Sequence, residues 1–197
     1  MAVTDSSDIL AFADAAAWEA WLADHHAGSN GVWLLIGKKG SKKEAIAISD
    51  ALDVALCYGW IDSQRKGHDA DHYLQRYSPR RAKSPWSKLN VERVEALNEA
   101  GRMRPAGLAE VELARADGRW AVAYESQRIA TLPDDLSAAL KLDERARAAF
   151  ERLDRTSQYS ATLPILKATT PEARATRMQK LIARLAAGDL ASGDASS

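Results

Sequence analysis

The chain has 197 residues, 46% hydrophobic and 27% charged, with a formal net charge of zero. A chain of this length buries roughly two-thirds of its unfolded surface, so wholesale disorder is excluded and neither a disulfide nor a metal staple is needed for stability. The single cysteine, Cys57, cannot close an internal disulfide and so gives no sign of an oxidising compartment.

Charge is placed unevenly. Residues 1–36 hold five acids and no Lys or Arg, residues 37–93 hold twelve Lys/Arg against seven Asp/Glu, and the remainder balances at fifteen of each. An electropositive surface is therefore expected from the middle of the chain. The first eight residues contain no Lys or Arg and lead into no unbroken apolar stretch, so no signal peptide is expected. No segment reaches the roughly 20 apolar residues of a membrane-spanning helix. The expected location is cytoplasmic.

In chain order, residues 1–10 are expected to be flexible. From Asp14 to His26, Trp18, Trp21 and Leu22 recur at helical spacing, and Gly28 supplies a stop. The run Gly31–Ile36 is β-rich and bounded by glycine, which predicts a buried strand, followed by the basic loop Gly37–Lys43. Ser49 is positioned to cap a helix ending near Cys57 or Tyr58. The runs Trp60–Lys66 and His72–Tyr77, joined by Gly67-His-Asp-Ala-Asp71, predict an antiparallel hairpin.

After the basic connector Ser78–Lys83 the character becomes helical. The predicted helices are Pro85–Ala100, Pro105–Asp117, Asp134–Leu140, Glu144–Leu153, a segment at Ser157–Ala168 interrupted by Pro164, and Pro171–Ala187. In the last, Met178, Leu181, Ile182 and Leu185 share one face, bordered by Arg177, Lys180 and Arg184. Residues 189–197 form a small-residue tail. The fold expected is α+β: a small antiparallel or mixed sheet covered by helices in residues 11–83, and a mainly helical half over 84–188 that could share its core.

Three stretches carry a family resemblance: Ala55-Leu-Cys-Tyr-Gly-Trp-Ile-Asp-Ser63, Tyr73-Leu-Gln-Arg-Tyr-Ser-Pro-Arg-Arg81 and Ser84-Pro-Trp-Ser-Lys-Leu-Asn90. With Gly101–Gly107, Asp117–Tyr124 and the Lys/Arg-rich last helix in support, the chain resembles the YdeI/OmpD-associated, bacteriocin-protection family over about Ala11 to Asp189. The resemblance implies a role in stress or antimicrobial-peptide resistance, and an envelope location from which the missing signal peptide departs. It implies no catalytic residues.

The strongest candidate site is anionic-ligand binding by Arg76, Arg80, Arg81, Lys83, Ser84, Trp86, Ser87 and Lys88. Ser84 as cap and Pro85 as first helical residue would turn free amides toward the arginines. A cation at a helix N-terminus is placed against the macrodipole at a cost of about 0.3–1 kcal/mol, which a bound anion would relieve. The same arginines could instead pair with Asp62 or Glu92. Lys38, Lys39, Lys42 and Lys43 extend the basic surface, and Tyr73, Tyr77 and Trp86 could stack on bases if the ligand is nucleic acid.

An alternative is an enzyme using Asp62, raised in pKa beside Trp60, with Cys57, His68 or His72 as helpers. His68-Asp-Ala-Asp-His72 offers donors that rarely converge from a turn, so no metal is expected, and no nucleotide or dinucleotide fingerprint calls for a cofactor. A third possibility is a protein or membrane-surface partner docking on the helical half. Oligomeric state is left open.

Overall fold

In the computed structural model the described residues are 9–40, 45–125, 127 and 130–189. The fold is α+β, with a four-stranded mixed sheet and a helical C-terminal half. The chain divides into two compact units. The first takes in the described residues up to Ser84 and returns for Asn90–Asp117; the second comprises Pro85–Leu89 and the chain from Gly118 onward.

In the first unit, β1 (Ile9–Leu10) pairs parallel with β2 (Val32–Gly37), β2 pairs antiparallel with β4 (His72–Pro79), and β4 pairs antiparallel with β3 (Trp60–Gly67). Helix α1 (Ala15–His25) starts where the Asp14 carboxylate accepts the Ala17 N–H at 2.9 Å, a side-chain cap. It buries Trp18 and Leu22, and the Trp18 indole N–H donates to the Ala51 carbonyl of α2 (Ile48–Cys57) at 3.1 Å. Helix α2 begins two residues earlier than Ser49 as cap would dictate. Its N-cap is Ala47, without a side-chain bond, while the Ser49 hydroxyl donates to Asp50.

Alternation along β2 sends Val32, Leu34 and Ile36 to the core face and Trp33 and Leu35 to the other. On β4 the residues in register with the core set are Tyr77, Gln75 and Tyr73, so Leu74 and Arg76 share the Trp33 face. Helix α3 (Lys88–Glu99) starts in the second unit and continues in the first, and α4 (Pro105–Ala116) closes the first unit.

Among the described residues, the second unit is built on α5 (Asp134–Leu142), α6 (Glu144–Glu151), α7 (Arg155–Leu166) and α8 (Pro171–Ala187). Leu136, Leu140, Ala146, Phe150, Ile165, Leu181 and Leu185 form its buried core, with Met178 and Ile182 packed against it, so the stripe expected on α8 faces inward. Pro164 does not interrupt α7. It lies in the last turn, where the Lys167 N–H reaches the Leu163 carbonyl and carries the ladder past it. No helix among the described residues is long and apolar enough to cross a membrane.

Candidate functional site

Three places in the molecule gather chemistry-bearing side chains. The first is the Trp33 face of the sheet. The Lys66 ammonium lies 4.5 Å from the Trp33 ring centroid and the Arg76 guanidinium 5.9 Å from it, so one indole is flanked by two cations. Arg76 reaches this place over Gly31, whose φ of 120° and missing side chain make the room. A Cβ there would lie 2.7 Å from the Tyr77 carbonyl oxygen and 3.1 Å from Arg76 Nη2. The guanidinium donates to the Asn30 carbonyl at 3.4 Å. Among the described residues, no carboxylate pairs with Lys66, Arg76, Arg81 or Lys83.

Lys66 owes its place to a β-bulge. Asp62 is in register with Tyr77 but Arg65 with Gln75, so β3 spends one extra residue between them. A one-residue slip exchanges the faces of everything beyond it, which brings Lys66 opposite Leu74 on the Trp33 side and Arg65 onto the core side. There the Arg65 guanidinium covers the Tyr73 ring at 4.3 Å and its Nε donates to the Gln75 side-chain oxygen. Strict alternation from Trp60 predicts the reverse, which is why Lys66 is missing from the sequence-derived candidates.

The connector differs from its expected form. Pro85 is not the first helical residue, since α3 begins at Lys88, and Ser84 is therefore not the residue before it; the Ser84 hydroxyl accepts the Arg81 N–H at 3.1 Å, closing a turn. The helix begins at Lys88 because Ser87 bridges to Tyr124, and the Lys88 N–H donates to the Tyr124 carbonyl at 2.8 Å. The amide expected to meet an anion is thus already satisfied within the protein. Lys88 itself pairs with Glu125 at 2.8 Å, and Trp86 is buried with its ring 4.8 Å from that of Trp120, so it offers no face to a base. Arg76, Arg80, Arg81, Lys83 and Ser84 fall in the first unit, whereas Trp86, Ser87 and Lys88 fall in the second. Arg81 and Lys83 are exposed; Arg80 is buried.

The second place is the core side of the hairpin. Asp62 is half-buried, and the loss of water around it raises its pKa above 3.8 against the opposing fields of Arg65, Arg80 and Arg93. Tyr77, in register with it, is fully buried; its hydroxyl has no hydrogen-bond partner among the described residues, and burial together with the Asp62 charge holds its pKa well above the ordinary range. Arg93 of α3 pairs with Asp53 of α2 at 2.6 Å. Trp60 belongs to the core: its ring meets Trp18 and Trp21 edge-on, and its indole N–H donates to the His26 carbonyl at 3.3 Å.

Of the proposed helpers of Asp62, His68 is exposed. Cys57 is buried and its thiol is pushed up to about 11, so it is protonated at neutral pH. His72 engages the Asp69 carboxylate at 3.0 Å, and that carboxylate also accepts the Asp71 and His72 backbone N–H groups, a turn-closing arrangement. Lys38 joins the same turn, donating to the Asp69 carbonyl at 2.7 Å, and Lys39 is exposed. Lys42 and Lys43 lie outside the described residues.

The third place is a pair of cavities in the second unit, of about 380 and 500 Å³, that share Ala130, Thr131 and Leu166. Leu140, Phe150 and Leu166 contribute the apolar wall of the smaller one, and Lys141, Arg147, Glu151 and Arg155 contribute charge. No sequence motif marked it, because its residues come from three helices and the segment before them.

Two family models match the chain. One, a domain of unknown function numbered DUF8412, covers residues 10–110. The other, described as bacteriocin-protection, YdeI or OmpD-associated, covers residues 130–188. No curated protein and no solved structure matches.

Proposed function

Since the chain belongs to the DUF8412 family and carries a YdeI/OmpD-associated, bacteriocin-protection domain toward its C-terminus, we propose that it is a protective protein of the stress or antimicrobial-peptide resistance type that acts by binding a phosphate-bearing polyanion. The binding surface is the Trp33 face of the sheet, with Lys66 and Arg76 at its centre and Arg81 and Lys83 extending it. One observation carries this reading: these four cations of one unit have no carboxylate partner among the described residues, although the chain as a whole has as many acids as bases. Exposed cations left unneutralised in a neutral protein raise the local potential and favour an anionic ligand. Trp33 is itself buried, and its ring holds the two cations on this face of the sheet. The cytoplasm is the working compartment in this proposal.

Titration with inorganic polyphosphate and with a short single-stranded DNA at low salt tests it. Binding is expected to weaken linearly with the logarithm of salt concentration. For the DNA, the double variant Lys66→Glu, Arg76→Glu is expected to flatten the slope by about 1.4, at about 0.7 per lost phosphate contact. Absence of binding to both probes at low salt overturns the proposal, as does a double variant that binds like the parent.

A second reading, an enzyme using Asp62, is favoured by one observation: a carboxyl with raised pKa faces a buried hydroxyl that has no partner among the described residues. Burial raises the pKa of both groups, and titratable groups perturbed in this way concentrate at functional sites. Turnover of a chromogenic ester or phosphate panel that disappears in Asp62→Asn supports this reading; no turnover by the parent chain ends it.

A further inference from the structure

From the smaller cavity of the second unit we infer a binding site for a carboxylate bearing an apolar tail. At about 380 Å³ it falls within the roughly 300–1,000 Å³ usual for small-ligand sites. Its lining separates into two kinds of surface. Leu140 and Phe150 are core residues that show one edge to the cavity, and Leu166 continues that wall. Two of the lining hydroxyls beside them are engaged with the protein's own backbone: Tyr159 donates to the Glu125 carbonyl and Thr162 to the Gln158 carbonyl, each at 2.8 Å. The Gln158 amide likewise donates to the Phe150 carbonyl at 3.1 Å. The stretch of wall formed by Leu140, Phe150, Leu166, Gln158, Tyr159 and Thr162 therefore favours an apolar body, because a polar one would lose its hydration against apolar side chains and donors already engaged.

The charge at this cavity is of the opposite character. Among the described residues, Lys141, Arg147 and Arg155 line it with one carboxylate, Glu151. Lys141 has no carboxylate partner among the described residues. Arg147 has only a 3.9 Å approach to Glu144, whose side chain is 90% exposed, a contact contributing little in water. Cations with weak or no neutralisation beside an apolar wall match one anionic head joined to a hydrocarbon or aromatic body. The site lies almost wholly within residues 130–188, and it is separate from the phosphate-binding surface proposed on the sheet.

The full chain saturated with 1-anilinonaphthalene-8-sulfonate, whose emission rises in apolar surroundings, provides the readout. Decanoate below its micellar concentration is expected to displace the dye, and decyltrimethylammonium, with the same tail and the opposite head, to compete at least tenfold more weakly. In Lys141→Glu, Arg147→Glu, both on exposed positions, decanoate affinity is expected to fall at least tenfold with the melting temperature retained. No saturable displacement by decanoate overturns the inference. Equal competition by the two surfactants overturns it too, and needs no variant to fold. Decanoate affinity within twofold of the parent in a folded double variant does the same.

Discussion

Asp62 and Tyr77 are partners in the β3–β4 ladder immediately before the bulge, so a half-buried carboxylate and a fully buried phenol share the core face of the hairpin. The Asp62 charge opposes ionisation of the Tyr77 phenol, since two like charges would be brought together away from water, while Asp62 is raised by its own burial. The bulge that follows turns Lys66 to the opposite side. One irregularity in β3 thus sets Arg65 on the side of Asp62 and Tyr77 and Lys66 on the side of Trp33.

The Tyr77 hydroxyl is buried and has no hydrogen-bond partner among the described residues. A donor left unsatisfied in the interior costs about 1–3 kcal/mol, so Tyr77→Phe, which keeps the ring beside Trp18, is expected to gain about 1 kcal/mol in urea denaturation. A loss of stability of that size would mean the hydroxyl has a partner in solution.

Asp62→Asn addresses the other member of the pair through pH. A carboxyl whose folded pKa exceeds its unfolded value of 3.8 binds more protons when folded, so stability declines as pH rises from 3.8 through the raised value. The amide removes that decline. Urea midpoints should place the variant above the parent at pH 7, with the gap closing as pH falls toward 3.8. A variant less stable than the parent at neutral pH would show that Arg65, Arg80 and Arg93 outweigh the loss of water.

Gly107 of α4 lies against the C-terminal end of α2. A Cβ there would stand 2.3 Å from the Cys57 carbonyl oxygen and 2.9 Å from that of Leu56, both of them backbone atoms that cannot swing aside. Gly107→Ala is expected to destabilise the chain by about 1–3 kcal/mol through overpacking, although alanine is the better helix former. The shift of the denaturation midpoint measures it.

The sequence made visible whatever depends on neighbours near in the chain. Trp18, Trp21 and Leu22 with Gly28 mark α1 and its end, and Met178, Leu181, Ile182 and Leu185 mark the inward face of α8. What depends on distant pairing was hidden. β1 is two residues long and exists through its pairing with Trp33 and Leu34. The start of α3 moved from Pro85 to Lys88 because Tyr124, far along the chain, pairs with Ser87 and takes the Lys88 amide. The candidate site shows the same division: Arg76 was legible as a cation on a strand, but that Lys66 joins it over Trp33 depends on a bulge, which period-two alternation does not reveal.

In the second unit, Arg174 of α8 holds Asp135 of α5 by two bonds, Nε to Oδ2 at 2.6 Å and Nη2 to Oδ1 at 2.8 Å, while its Nη1 donates to the Ile165 carbonyl at 3.3 Å. The guanidinium holds the Asp135 carboxyl below its ordinary 3.8. A depressed folded pKa contributes stability that is complete above 3.8 and lost as pH falls through the folded value. Both side chains are about a third exposed, so water screens the pair and its contribution is set at about 1 kcal/mol, the upper end for surface pairs, on account of the two-point geometry. Arg174→Met, which keeps the aliphatic stem, is therefore expected to lower stability by about that amount at pH 7 and to converge on the parent below pH 3.8, in urea denaturation across a pH series. Asp135→Asn should show the same convergence. A deficit that persists unchanged into acid would assign the effect to the Ile165 carbonyl bond instead, because that bond does not titrate.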